Sequence, residues 1–173
     1  ADPVRKVSII PRGRALGVTL ATPQQDRYGY DAAYLKGRMI GALGGITAEE
    51  LVLGVASTGA ESDLQTCTAI ARSMVGRWGM SERIGPISVF PPEGDPRMLG
   101  VSEGTLDAVA QEVRRLVDEC HREATSLLTQ NRARLDGIAK SLLERETLDE
   151  AAAYAAAGIP RATPGVAREA PAA

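Results

Sequence analysis

Asp63 and Glu49 are the residues whose type and setting could do chemistry in this chain. Asp63 lies in Thr58–Met80, TGAESDLQTCTAIARSMVGRWGM. Thr58 and Glu61 have the T-x-x-E spacing of a capping box, which places Asp63 one turn into a helix. Leu64, Cys67, Ile70 or Ala71, Met74 or Val75, and Trp78 then form one apolar stripe. Asp63 stands four residues before Cys67, so its carboxylate marks the N-terminal edge of that stripe. Two readings fit it. Either the helix N-terminus stabilises the carboxylate and nothing more happens there, or the carboxylate points at something bound against the apolar face. Glu49 has Gly45, Ile46, Val52 and Leu53 as helical neighbours. A carboxylate in that setting needs a partner. Two helices carrying these groups could flank a metal ion or a polar network.

Other chemistries find no residues to carry them. The sequence contains no G-x-G-x-x-G, no G-x-x-x-x-G-K-S/T, no G-x-S-x-G and no H-E-x-x-H. Cys67 and Cys120 occupy apolar helical positions and read as buried free thiols, not as a disulfide or a metal pair. His121 is the only histidine. It lies off the Val117–Cys120–Ala124 stripe, between charged neighbours, and reads as a surface residue. No catalytic acid, base or nucleophile is assigned within the chain. A formal net charge of −2 over 173 residues gives no electrostatic case for nucleic acid. No run approaches the apolar length of a membrane span, so no direct membrane contact is expected.

The elements that must position the two carboxylates can be read in order. Ala1-Asp2-Pro3 looks like a cut edge. Val7–Ile10 and Leu16–Leu20 read as two strands joined by the Arg12-Gly13-Arg14 turn. They could be a structural hairpin, or an edge that accepts an extended peptide. Thr22–Tyr30 is polar and turn-rich. Asp31 is placed to cap a helix reaching about Leu53, with Gly54 ending it. Gly41, Gly44 and Gly45 weaken that helix by roughly 1 kcal/mol each relative to Ala, which suggests close backbone approach or a bend. Ser81–Gly104 is a long loop with Ile87–Phe90 as a candidate strand. From Thr105 the spacing is helical, breaks at Asn131 and resumes through Leu143, predicting two antiparallel helices. Thr147 and Glu150 repeat the capping-box spacing before a short helix ending near Gly158. The predicted fold class is mainly α (α+β): a helical domain over 1–158, with a small N-terminal β-hairpin or sheet and a C-terminal helix pair. Residues 159–173 read as a disordered tail.

Four segments together carry a resemblance. They are VRKVSIIPRGRALGVTL (Val4–Leu20), GALGGITAEELVLG (Gly41–Gly54), STGAESDLQTCTAIARSMVGRWGMSERIGP (Ser57–Pro86) and LLERETLD (Leu142–Asp149). The chain from Asp2 to Tyr154 resembles the protease domain of the FtsH family, ATP-dependent zinc metalloproteases of the M41 peptidase type. The resemblance implies that Asp63 is the third zinc ligand, beside two histidines of an H-E-x-x-H helix. It implies that Glu49 is the carboxylate that orients a zinc-bound histidine. Ile9, Ile10, Gly17, Val18 and Thr19 match the strand pair beside the substrate cleft. It further implies Zn as cofactor, with ATP and Mg at an upstream module. Polypeptide substrates, a homo-hexameric ring and a soluble cytoplasmic-side domain of a membrane-anchored bacterial-type protein complete the expectation.

The sequence departs from the family pattern where Ile46 replaces a usual Arg and Ser62 a usual Asn, and in a short loop between Gly54 and Thr58. It also lacks the H-E-x-x-H helix, so the chain is expected to begin just downstream of it. By itself the segment is therefore expected to have no peptidase activity. The alternatives are a non-catalytic assembly or protein-binding module of the same fold, and a generic helical domain in which Asp63 is an ordinary helix-start residue.

Overall fold

Asp31 starts the first long helix by accepting the Tyr34 backbone N–H at 2.7 Å. Gly54 ends it in the left-handed conformation, φ 73°. Helix α1 thus runs Ala32–Leu53, as the cap residues predict. The computed structural model describes residues 2–11, 13, 16–22, 29–91 and 93–160. Arg12, Arg14, residues 23–28, Pro92 and residues 161–173 lie outside these, and with them parts of the turn, the polar stretch, the loop and the tail read from sequence. The described residues fall into two compact units, one within 27–130 and the other within 2–26 and 131–160.

In the first unit α1 packs against α2 (Glu61–Gly76) and α3 (Glu103–Gln130). Its core draws Leu35, Met39 and Leu43 from α1, Cys67, Ala71 and Met74 from α2, and Val109, Leu116 and Cys120 from α3. Burial of this kind stabilises by about 25 cal/mol per Å² of apolar surface. The stripe read for α2 is therefore real in its middle, but Leu64 and Trp78 at its ends are 39% and 50% exposed. Both cysteines are buried free thiols, as their spacing predicts. Burial, reinforced by Cys120, pushes the Cys67 thiol up to about 11, so it packs as a neutral apolar group.

The start of α2 differs from the capping-box expectation. Ser57 is the cap, not Thr58, and it heads a short 3₁₀ turn over Thr58–Ala60. The Glu61 backbone N–H, which a Thr58 side chain would have capped, already donates to the Thr58 carbonyl. No side chain caps α2 itself. Ile87–Phe90 is also not a strand. The Val89 and Phe90 N–H groups both donate to the Gly76 carbonyl, at 2.8 and 2.9 Å. They tie the loop to the end of α2, and a Cβ on Gly76 would collide with the Phe90 ring. Of the α1 glycines, Gly41 and Gly44 have nothing within 4 Å of a built Cβ, so close backbone approach does not explain them.

A buried carboxylate ties the loop after α2 to α3. Glu112 is 4% exposed. It accepts from Ser81 Oγ at 3.0 Å and from Arg115 Nη2 and Nε at 2.8 and 2.9 Å. Arg115 and Lys36 in turn donate to Glu119, each at 2.8 Å. The Arg115 hydrogen bonds hold the Glu112 carboxyl below its ordinary 4.5, against burial that pushes it up and with help from Ser81. A carboxylate depressed in the folded state stabilises the fold above its unfolded pKa and loses that contribution as pH falls through the folded one. Glu112→Gln is expected to cost about 2 kcal/mol near pH 7, the range of a hydrogen bond to a charged group. Urea unfolding at pH 7 and at about pH 3 checks this, since the gap from wild type must shrink at the acid pH.

The second unit contains a three-stranded sheet in the order β2-β1-β3. The strands are β1 (Val4–Ser8), β2 (Val18–Ala21) and β3 (Thr147–Asp149), with antiparallel pairing on both sides of β1. Strand β1 begins and ends earlier than Val7–Ile10. The Ile9 N–H still donates to the Glu146 carbonyl at 2.9 Å, but Glu146 is in the left-handed conformation, φ 60°, so regular pairing with β3 stops at Ser8. Thr147 is a strand residue paired with Ser8, and Asp149 caps helix α5 (Glu150–Ala156) by accepting the Ala152 N–H at 2.8 Å. The capping-box reading of Thr147 is corrected accordingly. Helix α4 (Arg132–Arg145) follows the break at Asn131 and packs on α5 and β3. Leu142, Leu148 and Ala153 form the small core, with Val7 and Ile138 against it. The mainly helical class with a small sheet holds.

Candidate functional site

Asp63 projects from the first turn of α2 and is exposed. Its carboxylate has no hydrogen bond or ion pair among the described residues, and it does not cap its own helix. Asp63 Oδ2 lies 3.8 Å from where a Cβ on Gly45 would stand. Gly45 and Glu49 are one turn apart on α1, hence on one face. Glu49 is half-buried and makes the partnered contact its setting demands. The Ser57 backbone N–H donates to its Oε2 at 2.7 Å, and Ser57 Oγ donates to its Oε1 at 3.0 Å. Helix α1 and the start of α2 thus bring the two carboxylates to the same side of α1.

Ser57 escaped the sequence reading because Thr58 offered the better-known spacing. A signal was available: Ser57 precedes Gly59 by two residues, the separation at which a hydroxyl accepts a backbone N–H. The Ser57 Oγ accepts the Gly59 N–H at 3.2 Å. His121 is a surface residue, with Nε2 3.0 Å from Glu50 Oε2. The groove of about 400 Å³ between α2 and α3, lined by Thr68, Arg72, Phe90, Leu106, Val109 and Val113 among others, contains neither candidate carboxylate.

The strand residues belong to the second unit. Val18 and Thr19 lie in β2, paired with Ser8 and Val7, and every residue of β2 is exposed. β2 has one sheet neighbour, so its outer edge is unpaired among the described residues. Gly17 is needed where it stands, because a Cβ there would be 2.6 Å from the Ser8 carbonyl oxygen. Ile9 and Ile10 lie beyond the end of β1 and are 40% and 44% exposed.

Residues 1–155 match the profile of peptidase family M41. The chain belongs to that family. M41 relatives include the ATP-dependent zinc metalloprotease FtsH 3 of Conexibacter woesei, 58% identical over 168 residues, covering 95% of this chain and 22% of the relative. The ATP-dependent zinc metalloprotease FtsH of Thermobaculum terrenum is 51% identical over 158 residues, covering 87% of this chain and 24% of its own length. That of Bacillus subtilis is 41% identical over 157 residues, with 86% and 25% covered. The chain spans about a quarter of the length of these relatives.

Zinc in an M41 peptidase calls for several nitrogen, sulfur or oxygen donors around one point. No group of three or more His, Cys, Asp or Glu able to hold a metal lies among the described residues. These residues therefore do not build a zinc site by themselves. Asp63 is exposed, carries no partner among the described residues, and its Oδ2 lies beside a position where Gly45 presents no side chain. No helix among the described residues is long and apolar enough to cross a membrane.

Proposed function

We propose that this segment is part of the proteolytic domain of an ATP-dependent zinc metalloendopeptidase that degrades unfolded or membrane proteins, and that Asp63 donates one ligand to its zinc. The observation that carries the reading is the Asp63 carboxylate, exposed and unpartnered beside Gly45, one turn from the clasped Glu49. When bound, zinc supplies a Lewis acid that polarises a peptide carbonyl and lowers the pKa of its bound water. The part of Asp63 is to offer a carboxylate oxygen from the rigid first turn of α2. Glu49 keeps acceptor lone pairs free beside those used by Ser57, so it can take the outer N–H of a ligand imidazole and fix its tautomer. The edge of β2, with Val18 and Thr19, would hold an extended peptide through backbone hydrogen bonds, which suits low sequence specificity.

The relatives' names speak of ATP dependence and zinc. On the same reading this protein uses ATP and Mg at another module, acts as a homo-hexamer on polypeptide substrates, and sits on the cytoplasmic side of a membrane anchor. The 173-residue chain contains one histidine and no H-E-x-x-H. Alone it is expected to cleave no unfolded protein and to bind zinc only weakly. Incubating the pure chain with unfolded casein and zinc checks this. Zinc-dependent cleavage that Asp63→Ala abolishes would show that these residues suffice, and would overturn the division of ligands proposed here.

A further inference from the structure

An apolar knob and an apolar groove stand side by side in the first unit, and neither covers the other. The loop after α2 carries a short 3₁₀ turn over Pro96–Leu99. Pro96 and Arg97 line one side of the α2–α3 groove, but Met98 and Leu99 do not, and they are 86% and 68% exposed. The turn has its shape before anything binds. The Asp95 carboxylate accepts the Arg97 backbone N–H at 3.0 Å, Arg97 Nη2 donates to Glu103 Oε2 at 3.2 Å, and Gly100 closes the turn in the left-handed conformation, φ 78°. A knob held this way loses little freedom on docking. The groove, about 400 Å³ over Phe90, Leu106, Val109 and Val113, has room for two aliphatic side chains.

Charge points to the occupant. Arg72, on the groove wall, lies over the Phe90 ring with its guanidinium carbon 4.9 Å from the centroid. It has no carboxylate partner among the described residues, whereas Arg97, the other cation of the groove, is taken by Glu103. Glu93 is exposed on the loop that carries the knob, and it too has no ion pair among the described residues. Knob and groove thus match in polarity, and the unpaired charges beside them are opposite. We propose that Met98 and Leu99 of one copy dock into the α2–α3 groove of a second copy of this chain, with Glu93 of the first facing Arg72 of the second. Knob and groove are different surfaces, so the contact is heterologous and passes from copy to copy until a ring closes. The inference rests on the homo-oligomeric reading above and names its contact.

The test uses the complete protease that contains this segment. Copies with Thr68→Cys on the groove wall are mixed with copies with Leu99→Cys on the knob, assembled together and treated with a short bismaleimide. Both positions are exposed, and the native Cys67 and Cys120 are buried. A crosslinked dimer that neither variant gives by itself is expected. Met98→Asp, which would bury a charge in the groove, should lower its yield roughly 10-fold or more. Arg72→Glu or Glu93→Arg should each lower it about 3-fold, the scale of an exposed ion pair, and the two reversals combined should restore it. These two sites keep the comparison open if Met98→Asp does not fold. No such dimer in an oligomeric preparation overturns the proposal and leaves the groove to another occupant. Failure of the combined reversal to restore the yield overturns the pairing of Glu93 with Arg72. A wild-type protease that is monomeric by sedimentation removes the homo-oligomeric reading itself, and the proposal with it.

Discussion

Asp63→Ala in the complete protease is expected to lower zinc-dependent proteolysis by roughly 100-fold or more, beyond the effect of removing an outer partner. The same substitution should barely change folding. Asp63 is exposed and has no partner among the described residues. Its one expected contribution is a helix N-terminus effect of about 0.3–1 kcal/mol. Activity and stability therefore separate at this position, which an ordinary helix-start residue would not allow. The checks are metal content, cleavage of an unfolded substrate and a thermal melt on one preparation. Wild-type zinc content and wild-type cleavage in the variant would leave Asp63 as a helix-start residue and remove the basis for the proposed function. Asp63→Asn adds a finer comparison, since it keeps the shape and removes the charge that a metal would meet.

Met39→Ala should produce the largest loss of stability in the first unit. Met39 is 0% exposed and packs among Leu35, Leu43, Cys67, Ala71 and Met74. Truncation removes its transfer free energy and leaves a cavity that three packed helices cannot easily close. A loss of about 3 kcal/mol is expected, in the range for buried Met→Ala. For a unit of this size that lowers the unfolding midpoint by roughly 10 °C or more. Met98, at 86% exposure, is the control. Met98→Ala should stay within about 0.5 kcal/mol of wild type. Denaturant unfolding of both variants decides the matter, and equal midpoints for the two would mean that burial does not govern stability here.

The helices were legible because their periodicity and caps agree with their burial. Asp31 and Gly54 bound α1, and the stripe through Cys67, Ala71 and Met74 is the one the core uses. Errors gathered where two short motifs competed for the same donors. Thr58 and Thr147 both have capping-box spacing, but Ser57 and Asp149 take the caps. Spacing alone does not say which oxygen reaches an N–H first. Thr147 is instead held in β3 by pairing with Ser8, a residue 139 positions away. Ile87–Phe90 has strand-like residues but no strand beside it, and its N–H groups turn to Gly76. A strand needs a partner, and a local sequence cannot reveal one.

By itself the sequence determined the helical class, the free buried thiols and the choice of Asp63 and Glu49 as the residues worth following. Those depend on residue type and local periodicity, which survive without knowledge of distant contacts. Tertiary structure decided how the two carboxylates are held. It put Asp63 against the gap at Gly45 and gave both oxygens of Glu49 to Ser57. It also made β1 the central strand by bringing Thr147–Asp149 to its far side. The reason is common to both. Hydrogen-bond partners are chosen by which groups the packed helices and strands bring within about 3 Å, and that choice is written in the fold as a whole.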